Sequence, residues 1–141
     1  MDLMFQPLRK YADFQGRARR MEYWLFVLFQ WIVFIAAMIV GTLVDGILGN
    51  SRGDLGYGAA TLTLVGLAWL GLLAPALAVS VRRLHDSGKS GWMILLSFIP
   101  FVGGLIVIVL MLIDGTPGPN QYGPDPKGRG ADTPTVADTF A

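Results

Sequence analysis

The only histidine of the chain, two adjacent arginines and a lysine lie together in RRLHDSGKSGW, from Arg82 to Trp92, and a second polar cluster, GRARRMEYW, runs from Gly16 to Trp24. Arg17, Arg19, Arg20, Arg82, Arg83 and Lys89 supply cations, Glu22 and Asp86 anions, and His85 a titratable ring. Guanidinium forks grip carboxylates and phosphates through paired hydrogen bonds. These types therefore fit either a buried ion-pair network or a site for the phosphate of an anionic lipid. Ordinary cytoplasmic-side arginines are the plainer reading. Glu22, unfavourable to leave unpaired at headgroup level, is expected to pair with Arg82 or Arg83.

Catalysis has less to work with. A histidine base beside Asp86 needs a nucleophile or a substrate pocket, and the nearest hydroxyls, Ser87 and Ser90, lie in a turn without evident oxyanion donors. No catalytic residue is assigned, and a structural role for His85 is the plainer reading. One histidine and no cysteine leave zinc only carboxylates, so no metal and no cofactor is expected. Gly88-Lys89-Ser90 resembles the end of a phosphate-binding loop, but that loop needs a glycine where Arg83 stands and a strand before it.

The elements that must position these clusters are apolar. Over 141 residues, 53% are hydrophobic and 15% charged, and the mean hydropathy is +0.53, too oily for an ordinary soluble domain. Tyr23 to Val44, Ala59 to Val81 and Trp92 to Ile113 lack any charged residue or histidine. Each would reach about 33 Å as a helix, against about 30 Å of hydrocarbon core. The expectation is an all-α integral membrane protein with three transmembrane helices. The first apolar run is too long and begins too late for a cleaved signal peptide.

Pro100, Gly103 and Gly104 interrupt the third span. A single kinked crossing is the first reading, since its length matches one passage, and a re-entrant hairpin is the second. With one crossing, eight Lys and Arg fall on the side of the N-terminus and three (Arg52, Lys127, Arg129) on the other, which puts the N-terminus in the cytoplasm and the tail outside. The chain then divides into a cytoplasmic interfacial segment (1–20), a membrane domain (21–113) and a Pro/Gly-rich tail (114–141), disordered beyond 128. Gly46 to Gly58 reads as a turn, and no internal repeat is evident.

GRARRMEYW, RRLHDSGKSGW, IPFVGG and GTPGPNQYGPDPKG, in that order, resemble the YhaH-type bacterial inner-membrane family, known as domain of unknown function 805, over roughly residues 5 to 128. The resemblance implies a small multi-pass protein of the bacterial inner membrane and brings no activity with it. It gives weight to the arginine clusters and to the NQYGPDP tail, although one crossing would set Asn120, Tyr122, Gly123 and Pro124 across the membrane from the arginines.

The functional expectation is a non-enzymatic membrane protein offering a basic cytoplasmic surface to membrane lipids with anionic headgroups or to a partner protein. No nucleic-acid partner is expected. The alternative is a subunit of an oligomeric transporter or channel, for which Ala37 with Gly41, and Gly71, Ala74 and Ala78, offer close-packing faces. Against it, the spans hold no charged residue or histidine, and their polar residues include Gln30, Thr61, Thr63 and Ser97. A lipid-headgroup enzyme using His85 as base, oriented by Asp86, is the third reading.

Overall fold

The computed structural model describes residues 2–50 and 57–129. The expected disorder beyond 128 and half of the Gly46–Gly58 turn lie outside those residues. Within them the regular structure is helical, with no strand: α1 (Asp2–Arg9), α2 (Arg20–Ile47), α3 (Ala59–Asp86), a 3-10 helix (Gly91–Phe98) and α4 (Gly103–Leu112).

Helices α2 and α3 have 28 residues each, about 42 Å at 1.5 Å per residue. Both are long and apolar enough to cross a membrane. Being longer than the hydrocarbon core, each has an apolar middle and polar ends. Glu22 meets Arg82 at one end and Asp45 meets Thr61 at the other, so the two run antiparallel. At the second end α3 begins at Gly58, which has no side chain with which to cap it. Asp45 supplies the acceptor from α2, taking hydrogen bonds from the amides of Gly58 (2.9 Å), Ala60 (3.0 Å) and Thr61 (2.9 Å) and from the Thr61 hydroxyl (2.6 Å).

Few side chains are interior. Phe26, Leu72, Val79 and Ala18 form one core cluster, with Leu8 of α1 packed on it. Leu84, Leu110 and Met111 form another, with Met93, Leu96 and Ile106 against it. Leu28, Trp31, Ile35, Ile39 and Leu43 of α2 and Leu62, Leu67, Trp69 and Leu70 of α3 stay exposed, a continuous apolar surface of the kind that lipid covers. The N-terminal segment is docked on the helix pair: the Phe5 and Phe29 rings meet edge to face at 5.7 Å, and the Tyr11 hydroxyl donates to the Gly71 carbonyl (2.6 Å).

The third apolar segment departs from the first expectation, because no single helix runs from Trp92 to Ile113. The residue before a proline is driven out of the helical region, and Ile99 is accordingly extended at φ −70°, ψ 116°. Phe101 then takes a positive φ of 67°, the Val102 amide closes onto the Pro100 carbonyl (2.9 Å), and the Gly103 amide onto that of Ile99 (2.8 Å). The 3-10 helix before the turn spans about 16 Å and α4 after it about 15 Å. The two halves pack on each other as a hairpin, each half the thickness of a hydrocarbon core.

Candidate functional site

Folding back of the hairpin carries the tail onto both arginine clusters. Arg83 reaches the open end of α4, where the last carbonyls have no partner within the helix. Its guanidinium donates to the carbonyls of Met111 (3.3 Å) and Ile113, and Arg20 donates to that of Leu112 (2.9 Å). Two arginines thus cap α4, where the negative end of the helix dipole also favours them.

Asp86 is shared. Arg83 donates to its Oδ2, and Arg17 Nε to its Oδ1 at 2.9 Å. The other Arg17 nitrogens donate to the carbonyls of Thr116 (2.6 Å), Gly118 (2.7 Å) and Asp86 itself (3.2 Å), with Asp125 at 3.8 Å. One buried guanidinium therefore holds the end of α3 and two turns of the tail. The tail returns the contact, since the Thr116 amide donates to the Asp86 carbonyl (2.9 Å). A Cβ on Gly115 would collide with the Asp86 carboxylate, so only glycine passes there.

The turn after α3 is a Schellman cap. Gly88 at φ 70° lets its amide bond the His85 carbonyl (3.0 Å) while the Lys89 amide bonds that of Leu84 (2.9 Å). Over this turn the Tyr122 ring stacks on His85, with centroids 3.8 Å apart and planes at 4°. Asn120 fixes Tyr122 there: its amide nitrogen donates to the His85 carbonyl (2.9 Å) and its side-chain oxygen accepts the Tyr122 amide (2.9 Å). Within the tail, the half-exposed Asp114 takes Lys127 Nζ (2.7 Å), and the buried Asp125 takes Arg129 Nε (2.9 Å). The bond from Lys127 holds the Asp114 carboxyl down to about 2, with the Lys127 and Arg20 charges assisting. Burial works against the charge on Asp125, but the Lys127 amide, Arg129 and Arg17 still hold its carboxyl below the usual range.

Of the residues singled out by sequence, Arg17, Glu22, Arg82, Arg83 and Asp86 are buried, Arg19 and Arg20 are exposed, and His85 and Lys89 are half-buried. The expected pairing of Glu22 forms with Arg82, at 3.2 Å. The picture of Arg17, Arg82 and Arg83 as an open cationic surface is corrected: their side chains are 0–1% exposed and face inward. Both carboxylate oxygens of Asp86 go to arginines and the His85 ring lies under Tyr122, so Asp86 does not orient His85. Among the described residues no cluster of His, Asp or Glu suited to a metal ion occurs. Sequence reasoning gave no role to Asp45 or Asp114, and brought Asp125 to the arginine side only under the re-entrant alternative. Asp45 had a readable signal, since a helix opening on Gly-Ala-Ala lacks its own capping acceptor.

Two cavities flank the network. A groove of about 740 Å³ lies beside the hairpin, lined by Leu77, Val81, Trp92, Leu95 and Phe98, with His85 and Tyr122 among its few polar groups. A polar pocket of about 380 Å³ lies between α1, the start of α2 and the tail.

The chain is similar in sequence to known inner membrane proteins. The family model described as "Protein of unknown function (DUF805)" matches residues 11–124. The inner membrane protein YhaH of Escherichia coli K12 is 45% identical over 127 residues, covering 90% of this chain and 98% of its own length. YhaI of the same organism, also an inner membrane protein, is 44% identical over 127 residues, covering 90% and 97%. The uncharacterized protein YiiR is 32% identical over 139 residues, covering 80% and 85%. No solved structure matches the chain.

Proposed function

The chain belongs to the DUF805 family, and from that premise we propose that it is a non-enzymatic, multi-pass inner-membrane protein whose cytoplasmic end binds anionic lipid headgroups. The supporting observation is the convergence of charge. Ten of the eleven Lys and Arg residues lie in segments 9–20, 82–89 and 127–129, which pack on one another, and the eleventh, Arg52, lies outside the described residues. Arg17, Arg82 and Arg83 turn inward and build the platform, while Lys10, Arg19, Arg20 and Lys127 face outward from it. Basic residues at the surface of an anionic leaflet contribute about 1 kcal/mol each, and burial of the inner arginines preorganises the outer ones.

In this reading the hairpin is re-entrant, and the N-terminus and the tail are both cytoplasmic. Native mass spectrometry of the purified protein tests it. Retention of cardiolipin or another anionic lipid above that of a neutral lipid, falling with ionic strength, is the expected result. Equal retention of anionic and neutral lipids would overturn the proposal.

The oligomeric transporter reading has less support. Two of the small residues that suggested it are used within the chain: Gly41 is buried against Thr61, and Ala78 is fully buried. Crosslinking in native membranes separates the readings, because a defined ring would put transport first.

A further inference from the structure

The polar pocket is lined by Gln6 and Lys10 of the N-terminal segment, Arg17, Arg19, Glu22 and, from the tail, Pro126. Its charges are uneven. Lys10 and Arg19 are exposed and Arg17 adds a third cation, while Glu22 alone is negative and is only 3% exposed. Although Arg82 Nη1 lies 3.2 Å from Glu22 Oε1, that oxygen has no hydrogen-bond partner, and neither do the buried Nε and Nη2 of Arg82. These atoms are closed to solvent and Arg82 is not on the pocket wall, which leaves Glu22 as the pocket's one carboxylate. The pocket is also far larger than the roughly 30 Å³ that one water occupies.

A ligand matched to these groups carries net negative charge for Lys10 and Arg19 and a hydrogen-bond donor for Glu22. An ammonium would satisfy Glu22 but would stand among Lys10, Arg17 and Arg19, where like charges repel. A hydroxyl donates without adding charge.

Resting on the lipid-binding reading above, we propose that this pocket takes a phosphodiester with a hydroxylated headgroup, the glycerophosphate of phosphatidylglycerol, its phosphate on Lys10 and Arg19 and a hydroxyl donating to the Glu22 carboxylate. The same chemistry occurs in free glycerol phosphate. Leu3 on the pocket wall and the apolar faces around it favour the lipid form.

The test uses the full chain in nanodiscs containing dioleoyl phosphatidylglycerol, phosphatidic acid or phosphatidylethanolamine, with lipid retention read by native mass spectrometry. Phosphatidylglycerol should be retained over both others. Lys10→Gln should lower its retention roughly fivefold, the loss of about 1 kcal/mol, and Lys89→Gln, a basic residue outside the pocket, should lower it less. Displacement by millimolar glycerol phosphate would support the headgroup chemistry and assign it to the free ligand, and no displacement would assign it to the lipid. Retention of phosphatidic acid equal to phosphatidylglycerol would overturn the hydroxyl contact, and equal losses in Lys10→Gln and Lys89→Gln would overturn the pocket while leaving a diffuse basic surface intact. No preference for either anionic lipid would overturn the broader reading as well. Should a pocket variant fail to fold, the comparison of the three lipids on the unaltered protein still decides.

Discussion

Asp86 accepts Arg17 on one carboxylate oxygen and Arg83 on the other, and its carbonyl accepts the Thr116 amide, so the end of α3, the N-terminal segment and the tail all meet at one side chain. Removing one partner of a buried ion pair is far more damaging than never having built it, because the remaining charge stays buried and unanswered. Asp86→Ala leaves two such charges. It should lower stability by about 3–5 kcal/mol, visible as a lower thermal midpoint in detergent, and Arg17→Gln should act in the same direction. The tail carboxylates respond to acid. With their folded-state values depressed, Asp114 and Asp125 favour the docked tail above the ordinary carboxyl value of about 3.9 and lose that contribution as pH falls below it, Asp114 toward about 2. Hydrogen exchange across 114–129, corrected for the intrinsic rate, should therefore accelerate between pH 4 and pH 2, and unchanged protection would show that these pairs do not hold the tail.

At the scale of elements, both ends of the α2–α3 pair are fastened by acids reaching across to their neighbours. Asp45→Ala removes the acceptor for four donors at the start of α3 and should lower the thermal midpoint, whereas Asp45→Asn, keeping one oxygen acceptor, should lower it less. The two long helices and the contact of Glu22 with an arginine were legible in the sequence, because charge-free runs and lone charges at their edges are local patterns. The hairpin was legible only as an alternative. A segment of 22 residues fits one crossing by length, and Pro100 is compatible with a kink as well as with a break. What separates the two is the capture of α4's terminal carbonyls by Arg83 and Arg20 and of the tail's carbonyls by Arg17, pairings up to 106 residues apart, which no local period records. The same distance hid the roles of Asp114 and Asp125, which look like ordinary solvated residues in a Pro/Gly-rich tail.

For the molecule as a whole, the side of the membrane on which the tail lies decides whether the network can exist. With one crossing, Lys127 and Arg129 stand opposite the remaining cations, and the bias is eight against three. With a hairpin they join the arginine side and only Arg52 stands opposite, a stronger asymmetry under the rule that keeps Lys and Arg in the cytoplasm. The two halves of the hairpin, about 15–16 Å each, are too short to cross alone. Opening them into one helix would strip α4's last carbonyls of Arg83 and Arg20 and would leave Arg17 and Asp86 buried without their tail partners. A reporter active only in the cytoplasm should consequently be active when fused after Lys127, as it should be when inserted near Lys89, and a reporter active only outside should be silent at both. Activity outside at Lys127 would place the tail across the membrane from Arg17, and would dismantle the ion-pair network and the pocket wall at Pro126 together.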